Sequence, residues 1–322
     1  MVANLTTRLG QLTSSPAGGP YTGRNRIING NVSVDQRNAG ASQTFTAAAA
    51  VAYCVDRFYA SCTGANITGQ QVAGTAPYQY AYKFTGATSN TGTLFGQRIE
   101  SLNIADLVSA NVVCQAQIAS STITTVTWTA YYANTTNTFS AKTSIATGTI
   151  TINSTPTIYT FSFNAGSSAA NGVAIEFTTG ALVSAATLQY SGVQLEAGTI
   201  ATPYEFNQYP TQLAQCQRYA YLISTNGNNT AIMSGDVETG PLINACGGQF
   251  PARMRAVPTY SLLTGTVGVA TGGAGSVVSV NTNRCSEATI NILYNSSIGT
   301  VGNGAVIYDA ATVVKILFTA EL

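Results

Sequence analysis

The stretch Thr125-Val126-Thr127-Trp128-Thr129-Ala130-Tyr131-Tyr132 decides the fold class. Val126, Trp128, Ala130 and Tyr132 fall on one side of an extended chain and the threonines on the other, the two-residue period of a strand with one buried face. The same period recurs downstream. Tyr159, Phe161 and Phe163 alternate with Ile158, Thr160 and Ser162; Val173, Ile175 and Phe177 alternate with Ala174 and Glu176; Leu188 to Leu195 makes a further strand. Asn, Gly, Ser and Thr turns separate these runs, and amphipathic helices are nearly absent. The pattern predicts an all-β chain, an antiparallel sandwich over residues 24–206.

The texture changes after Pro203. Thr211–Tyr221 is the best helix candidate, with Thr211 as N-cap and Leu213, Cys216 and Tyr219 or Ala220 on one face. Short strands are expected beyond it at Thr259–Leu263, Val277–Val280, Ala288–Tyr294 and Ala311–Thr319. Gly265–Gly275 reads as a flexible loop, without the lysine or the strand-to-helix setting of a phosphate cradle. Residues 207–322 are therefore expected to form a second, smaller β-sandwich domain with one short helix. Residues 1–23 read as an arm: Leu5, Leu9 and Leu12 could make a short helix that Ser14–Pro20 terminates.

Composition narrows the function. Charged residues make up 8% of the 322, with 13 Lys+Arg against 12 Asp+Glu and no histidine, where roughly 25% charge is ordinary. So few scattered cations build no basic patch, which argues against nucleic-acid binding. Without histidine the chain lacks the commonest general base and zinc ligand. Disorder is disfavoured by 45% hydrophobic residues, 17 tyrosines and 11 phenylalanines. Cys54, Cys62, Cys114, Cys216, Cys246 and Cys285 form no CxxC pair and read as buried free thiols, so neither a metal nor another cofactor is expected. The longest apolar run, Ala47–Tyr53, is too short to insert in a membrane. Met1–Thr6 lacks the basic start and apolar run of a signal peptide, so synthesis in a cytoplasm is expected.

Several stretches together are similar to a known module. Arg26–Gly40, with Asn29-Gly30 followed by Gln36-Arg37-Asn38-Ala39-Gly40, resembles the opening of a module widespread in phage and prophage tail-fibre and appendage proteins. Asp56-Arg57-Phe58 resembles its Asp-Arg-aromatic triplet, and Gln194–Glu205 its closing signature. Leu213–Tyr219, Phe250–Thr259 and Phe318–Leu322 continue the likeness, which runs from residue 26 to the end. The resemblance implies a jelly-roll of the carbohydrate-binding-module type followed by a small β-domain. It also implies a virion structural protein, often trimeric, that takes part in host-surface attachment. Decoration of a capsid or a head fibre, without receptor binding, is the alternative.

Asn29-Gly30 and Gln194-Leu195-Glu196 are expected to meet at one sheet edge, with Pro203 as the exit. Asp35, Arg37, Asp56 and Arg57 are expected to pin loops through paired charges. Arg253 and Arg255 are expected to contact a neighbouring subunit or the helix C-terminus, and Arg218 belongs to the structural landmarks of the same stretch. For glycan binding, Tyr78, Tyr80 and Tyr82 would point the same way on a strand, and Tyr131 interrupts the outward threonine row; sugars stack on such rings. The Ser224–Asn229 loop is another candidate for host contact. Depolymerase activity would need two carboxylates across a cleft, and Asp236 with Glu238 is the one close pair, so no enzyme is expected. The apolar Val313–Phe318 strand and the low surface charge suggest self-association, and the N-terminal arm would bind other virion proteins.

Overall fold

The period-two segments are antiparallel strands in the computed structural model, which describes residues 23–239, 242–271, 274–296 and 299–322. The arm expected for residues 1–23 lies outside them, Gly23 excepted. The chain divides into two compact units, one ending at Tyr209 and one spanning Pro210–Glu321.

The first unit is a sandwich of two six-stranded sheets. One sheet has the order β1 (Gln43–Phe45), β4 (Ile67–Ala73), β5 (Tyr80–Thr85), β12 (Thr187–Ala197), β7 (Asn111–Ser120), β10 (Thr157–Asn164). The other runs β2 (Ala52–Tyr53), β3 (Phe58–Thr63), β6 (Gly92–Ile99), β11 (Val173–Thr179), β8 (Thr125–Thr135), β9 (Thr138–Thr151). The chain crosses between sheets at eight of the eleven connections, all but β2–β3, β4–β5 and β8–β9, which is the jelly-roll winding. A single helical turn, α1 (Ser101–Ile104), precedes β7.

Alternation fills the space between the sheets with one aromatic core. Phe95 stacks on Phe58 at 4.6 Å and on Tyr190 at 4.8 Å, and Trp128 stacks on Phe161 at 4.0 Å. The indole fits because its cross-strand partner is Gly148, where a Cβ would lie 2.9 Å from the ring. Aromatic area of this kind dominates core energetics.

In the second unit the expected small β-domain is present, but its strands do not form two facing sheets. Six strands close into a barrel in the order β14 (Ala231–Thr239), β15 (Leu242–Gln249), β19 (Thr289–Ser296), β18 (Ala274–Asn283), β17 (Val267–Ala270), β20 (Gly304–Asp309). A three-stranded sheet, β13 (Ala220–Ser224), β21 (Lys315–Thr319) and β16 (Thr259–Thr264), shares its core.

Three expectations are corrected here. Gly265–Gly275 holds all of β17 and the start of β18 rather than a loop. The helix α2 spans Tyr209–Gln217, so Thr211 lies inside it and is not its cap; Pro210 sits in the first turn, where a missing N–H costs nothing. Ile316 and Phe318, on the central strand of a sheet, and Val314 just before it are buried in the unit's own core, and Leu317 is buried too, leaving Val313 exposed. That strand is no surface for symmetry mates.

Among the cysteines, Cys54, Cys62, Cys114, Cys216 and Cys285 are buried free thiols and Cys246 is exposed. The Ser224–Asn229 loop is held from below by the fully buried Asp309, whose carboxylate accepts the Gly227 N–H (3.1 Å) and the Thr230 N–H (2.9 Å). Burial pushes this carboxyl up, but the bonds from Thr225, Thr230 and Gly227 outweigh it and hold the group below the ordinary aspartate value. A carboxyl with a depressed folded-state pKa stabilises the fold above its unfolded-state value, and that contribution is lost as pH falls through the folded-state value. Acid titration by NMR is expected to move the Gly227 and Thr230 amide signals together below the ordinary aspartate range, and Asp309→Asn to abolish that shared transition. Independent titration of the two amides would refute the coupling.

Candidate functional site

The closing signature of the first unit builds a recess through its hydrogen bonds. Strand β12 pairs with β5 only as far as Tyr190, and a bulge follows between Ser191 and Gln194. Past the bulge, residues 25–30 take the place of β5: the Arg26 N–H donates to the Leu195 carbonyl (2.8 Å) and the Val193 N–H to the Gly30 carbonyl (2.9 Å). Asn29-Gly30 therefore meets β12 past the end of β5, as expected of the two landmarks, and does so as a turn rather than as a strand. Asn29 has φ of +62°, a left-handed conformation that asparagine tolerates.

Three side chains then fold the segment after β12 back over it. Glu196 is buried and accepts the Thr202 N–H (2.7 Å), the Thr202 hydroxyl (2.7 Å) and the Gln194 side-chain amide (3.0 Å). Gln194 in turn accepts the Glu205 N–H (2.8 Å), and Glu205 accepts the Asn25 N–H (2.9 Å). Pro203, exposed, sits in this return. The return presents Tyr204, hydrogen-bonded to the Asn31 backbone, and Phe206, whose ring packs 4.8 Å from that of Tyr204. Burial pushes the Tyr204 phenol above its usual value, so it stays neutral.

Between these elements lies a cleft of about 500 Å³. Tyr80, Phe206, Tyr209 and Pro77 supply its apolar surfaces, and Asn31, Ser33, Gln79 and Asn207 its polar groups. Phe206 is 53% exposed and Tyr209 56%, so both rings are open to a ligand. Among the described residues no charged side chain lines it. A second cleft, of about 300 Å³, is lined by Ser61, Thr63, Thr91, Thr93 and neighbouring groups of β3, β6 and β11, without an aromatic ring.

The four tyrosines expected to bind glycan do not form one site. Tyr78 precedes β5 instead of lying on it, and is buried with its ring against Gly192, where a Cβ would be 2.1 Å from Cζ. It supports the cleft from beneath through Tyr204 (5.2 Å) and Phe206 (5.9 Å). Tyr82 is buried in the core, 5.9 Å from Phe95. Neither offers a face to a ligand. Tyr80 lines the cleft. Tyr131 lies on β8, under the Lys142 ammonium (4.2 Å), which pairs with the buried Glu176. Phe206, Tyr209 and the amides are absent from the residues that the sequence singles out. The signal available is an aromatic-rich link between prolines, Tyr204 to Pro210, which reads in the sequence only as a boundary.

The charged landmarks are taken up locally. Asp35 accepts the N–H groups of Asn38 (3.1 Å) and Gly40 (2.8 Å), and burial outweighs these bonds to raise its carboxyl. Asp56, fully buried, accepts the Gln36 N–H (2.7 Å) with Arg37 at 3.9 Å. Asn29 donates to the carbonyls of Val34 and Asp56 (2.8 and 2.9 Å). Arg57, buried with φ of +73°, donates to the Arg98 carbonyl (2.6 Å). In the second unit Arg253 pairs with Glu287 (2.7 Å). Arg255 donates its guanidinium to the carbonyls of Ala320 (2.7 Å) and Glu321 (2.8 Å), and its N–H to the carbonyl of Arg218 just after α2. Arg253 and Arg255 thus have partners within their own unit. Of the one close acidic pair, Glu238 is held by Arg284.

No protein-family model matches the sequence, and no curated protein matches it. Solved structures give distant likenesses. A putative sugar-binding protein from Bacteroides thetaiotaomicron is 12% identical with a TM-score of 0.34, covering 54% of this chain and 100% of its own. TmCBM61, in complex with β-1,4-galactotriose, is 8% identical with a TM-score of 0.34, covering 54% of this chain and 99% of its own. The enzymatically active domain of bacteriophage CBA120 tailspike protein 4 is 13% identical with a TM-score of 0.33, covering 55% of this chain and 21% of its own. The jelly-roll itself is established by this chain's own strand order.

Proposed function

We propose that the first unit binds glycans, without cleaving them, in the cleft between Asn31, Tyr80 and Phe206. One observation carries this reading: two exposed rings, Phe206 and Tyr209, share a recess with four amide or hydroxyl side chains. Aromatic faces pack against the C–H faces of a pyranose, and a few placed polar groups fix its orientation. Glycoside hydrolysis needs two carboxylates about the scissile bond, and the lining supplies none.

Phe206→Ala and Tyr209→Ala are each expected to weaken binding on a glycan array and in titrations about tenfold, near 1.4 kcal/mol. Tyr131→Ala is expected to leave it unchanged. The reverse pattern would move the site to the other sheet.

The finer reading is a virion component, of tail-fibre or appendage type, that uses this cleft on the host surface and assembles as a trimer. Its support is the ordered set of landmarks from Arg26 to Leu322 and the low charge. Immunogold labelling of particles tests it: label at the tail tip agrees, and label over the capsid lattice favours decoration. Light scattering that returns a monomer refutes the trimer, and new reducing ends from host polysaccharide refute the non-enzymatic role.

A further inference from the structure

The charge balance of the cleft bears on which glycans it takes, a selectivity that rests on the glycan-binding role proposed above. Its polar groups are Asn31, Ser33, Gln79 and Asn207, all neutral. The nearest acid in sequence, Glu205, is turned away to the N–H groups of Gly23 and Asn25. Amides and hydroxyls both donate and accept, as sugar hydroxyls and acetamido groups do. A carboxylate or sulfate brought into the recess would give up part of its water and meet no cation among the described residues, and desolvating an ion without a counter-charge is unfavourable. A volume of about 500 Å³ falls in the range of sites that enclose a small ligand. The exposed Phe206 and Tyr209 rings leave one side open for the rest of a chain.

We infer that the cleft selects uncharged pyranosides, hexoses or N-acetylhexosamines, and rejects sialylated, uronate-bearing and sulfated glycans. The lining achieves this by omission: its amides and hydroxyls serve a neutral sugar as well as an anion, and among the described residues it holds no cation to tip the balance toward the anion.

The full chain is tested on an array of matched pairs, each neutral oligosaccharide beside its sialylated, uronate or sulfated counterpart. Titrations of the bound members are then run at low and high salt. Binding is expected for neutral members only, with affinity changing less than about twofold across the salt range, because no ion pair is screened. Asn207→Lys, a change at an exposed position, is expected to add binding to the anionic counterparts at about tenfold or more over the parent, and to make that binding salt-sensitive. Preference of the parent chain for the anionic members overturns the inference and leaves glycan binding standing. An Asn207→Lys variant with no gain for anions also overturns it. Failure to bind either class, by the parent and the variant alike, overturns the glycan reading itself.

Discussion

Glu196→Ala is expected to lower the unfolding free energy of the first unit by about 3 kcal/mol, since bonds to a charged acceptor are worth about 1.5–3 kcal/mol each and stranded donors add to the loss. The carboxylate accepts from the Thr202 N–H, the Thr202 hydroxyl and the Gln194 amide, and the amide otherwise reaches only the Thr202 oxygens at 3.5 Å. Removing it leaves these donors facing a buried void, and the return that carries Tyr204 and Phe206 loses its anchor. Denaturant unfolding followed by tryptophan fluorescence reads this unit alone, because Trp128 is the one tryptophan of the chain. Glu196→Gln keeps the shape but presents its own amide to donors, so its loss is expected to be intermediate. A change within about 0.5 kcal/mol for the alanine variant, the range of ordinary surface substitutions, would show that the return is held by other contacts. Glycan affinity should fall with stability here, which separates this change from Phe206→Ala, where affinity falls alone.

Gly30→Ala is the second large effect, expected at about 3 kcal/mol, the upper end of the usual range for overpacked sites. A Cβ at residue 30 would stand 2.0 Å from the Val193 carbonyl oxygen and 3.0 Å from the Tyr204 hydroxyl. The nearer obstacle is backbone, which cannot swing aside as a flexible side chain would. The Val193-to-Gly30 hydrogen bond must open, and with it the seam between the N-terminal segment and β12. Gly180→Ala is the matched control in the same unit. Nothing lies within 4 Å of its added Cβ, so a change within about 0.5 kcal/mol is expected. Equal effects at the two positions would sink the steric account.

Legibility in the sequence depends on where each residue's environment is decided. Strands β8, β10, β11 and β12 are readable because each turns its large apolar side chains to a common core and smaller or polar ones to the other face, which imprints a period of two even where, as in β11, both faces are buried. Strand β17 is hidden for the opposite reason. Gly268 carries no side chain because the Tyr308 ring lies where its Cβ would be, 2.6 Å from Cζ, so a packed strand looks like a glycine-rich loop. The Asp35, Asp56 and Glu196 roles are close to readable, since a chain with 12 acids places few without a partner. The cleft is not legible. Tyr78 and Phe206 are both aromatic residues in loops, and one is buried while the other is open. The difference is made by Gly192, in a bulge far along the chain, which admits the Tyr78 ring.

The distribution of thiols has a practical side. Burial pushes the Cys54 and Cys114 thiols far above their usual values, and Cys62, Cys216 and Cys285 are buried as well, so none is open to an electrophile. Cys246 stands open on the second unit. The natural chain therefore carries a one-site chemical handle on one unit and a one-site fluorophore, Trp128, on the other. A maleimide dye on Cys246 would let each unit report on itself in a single unmutated molecule.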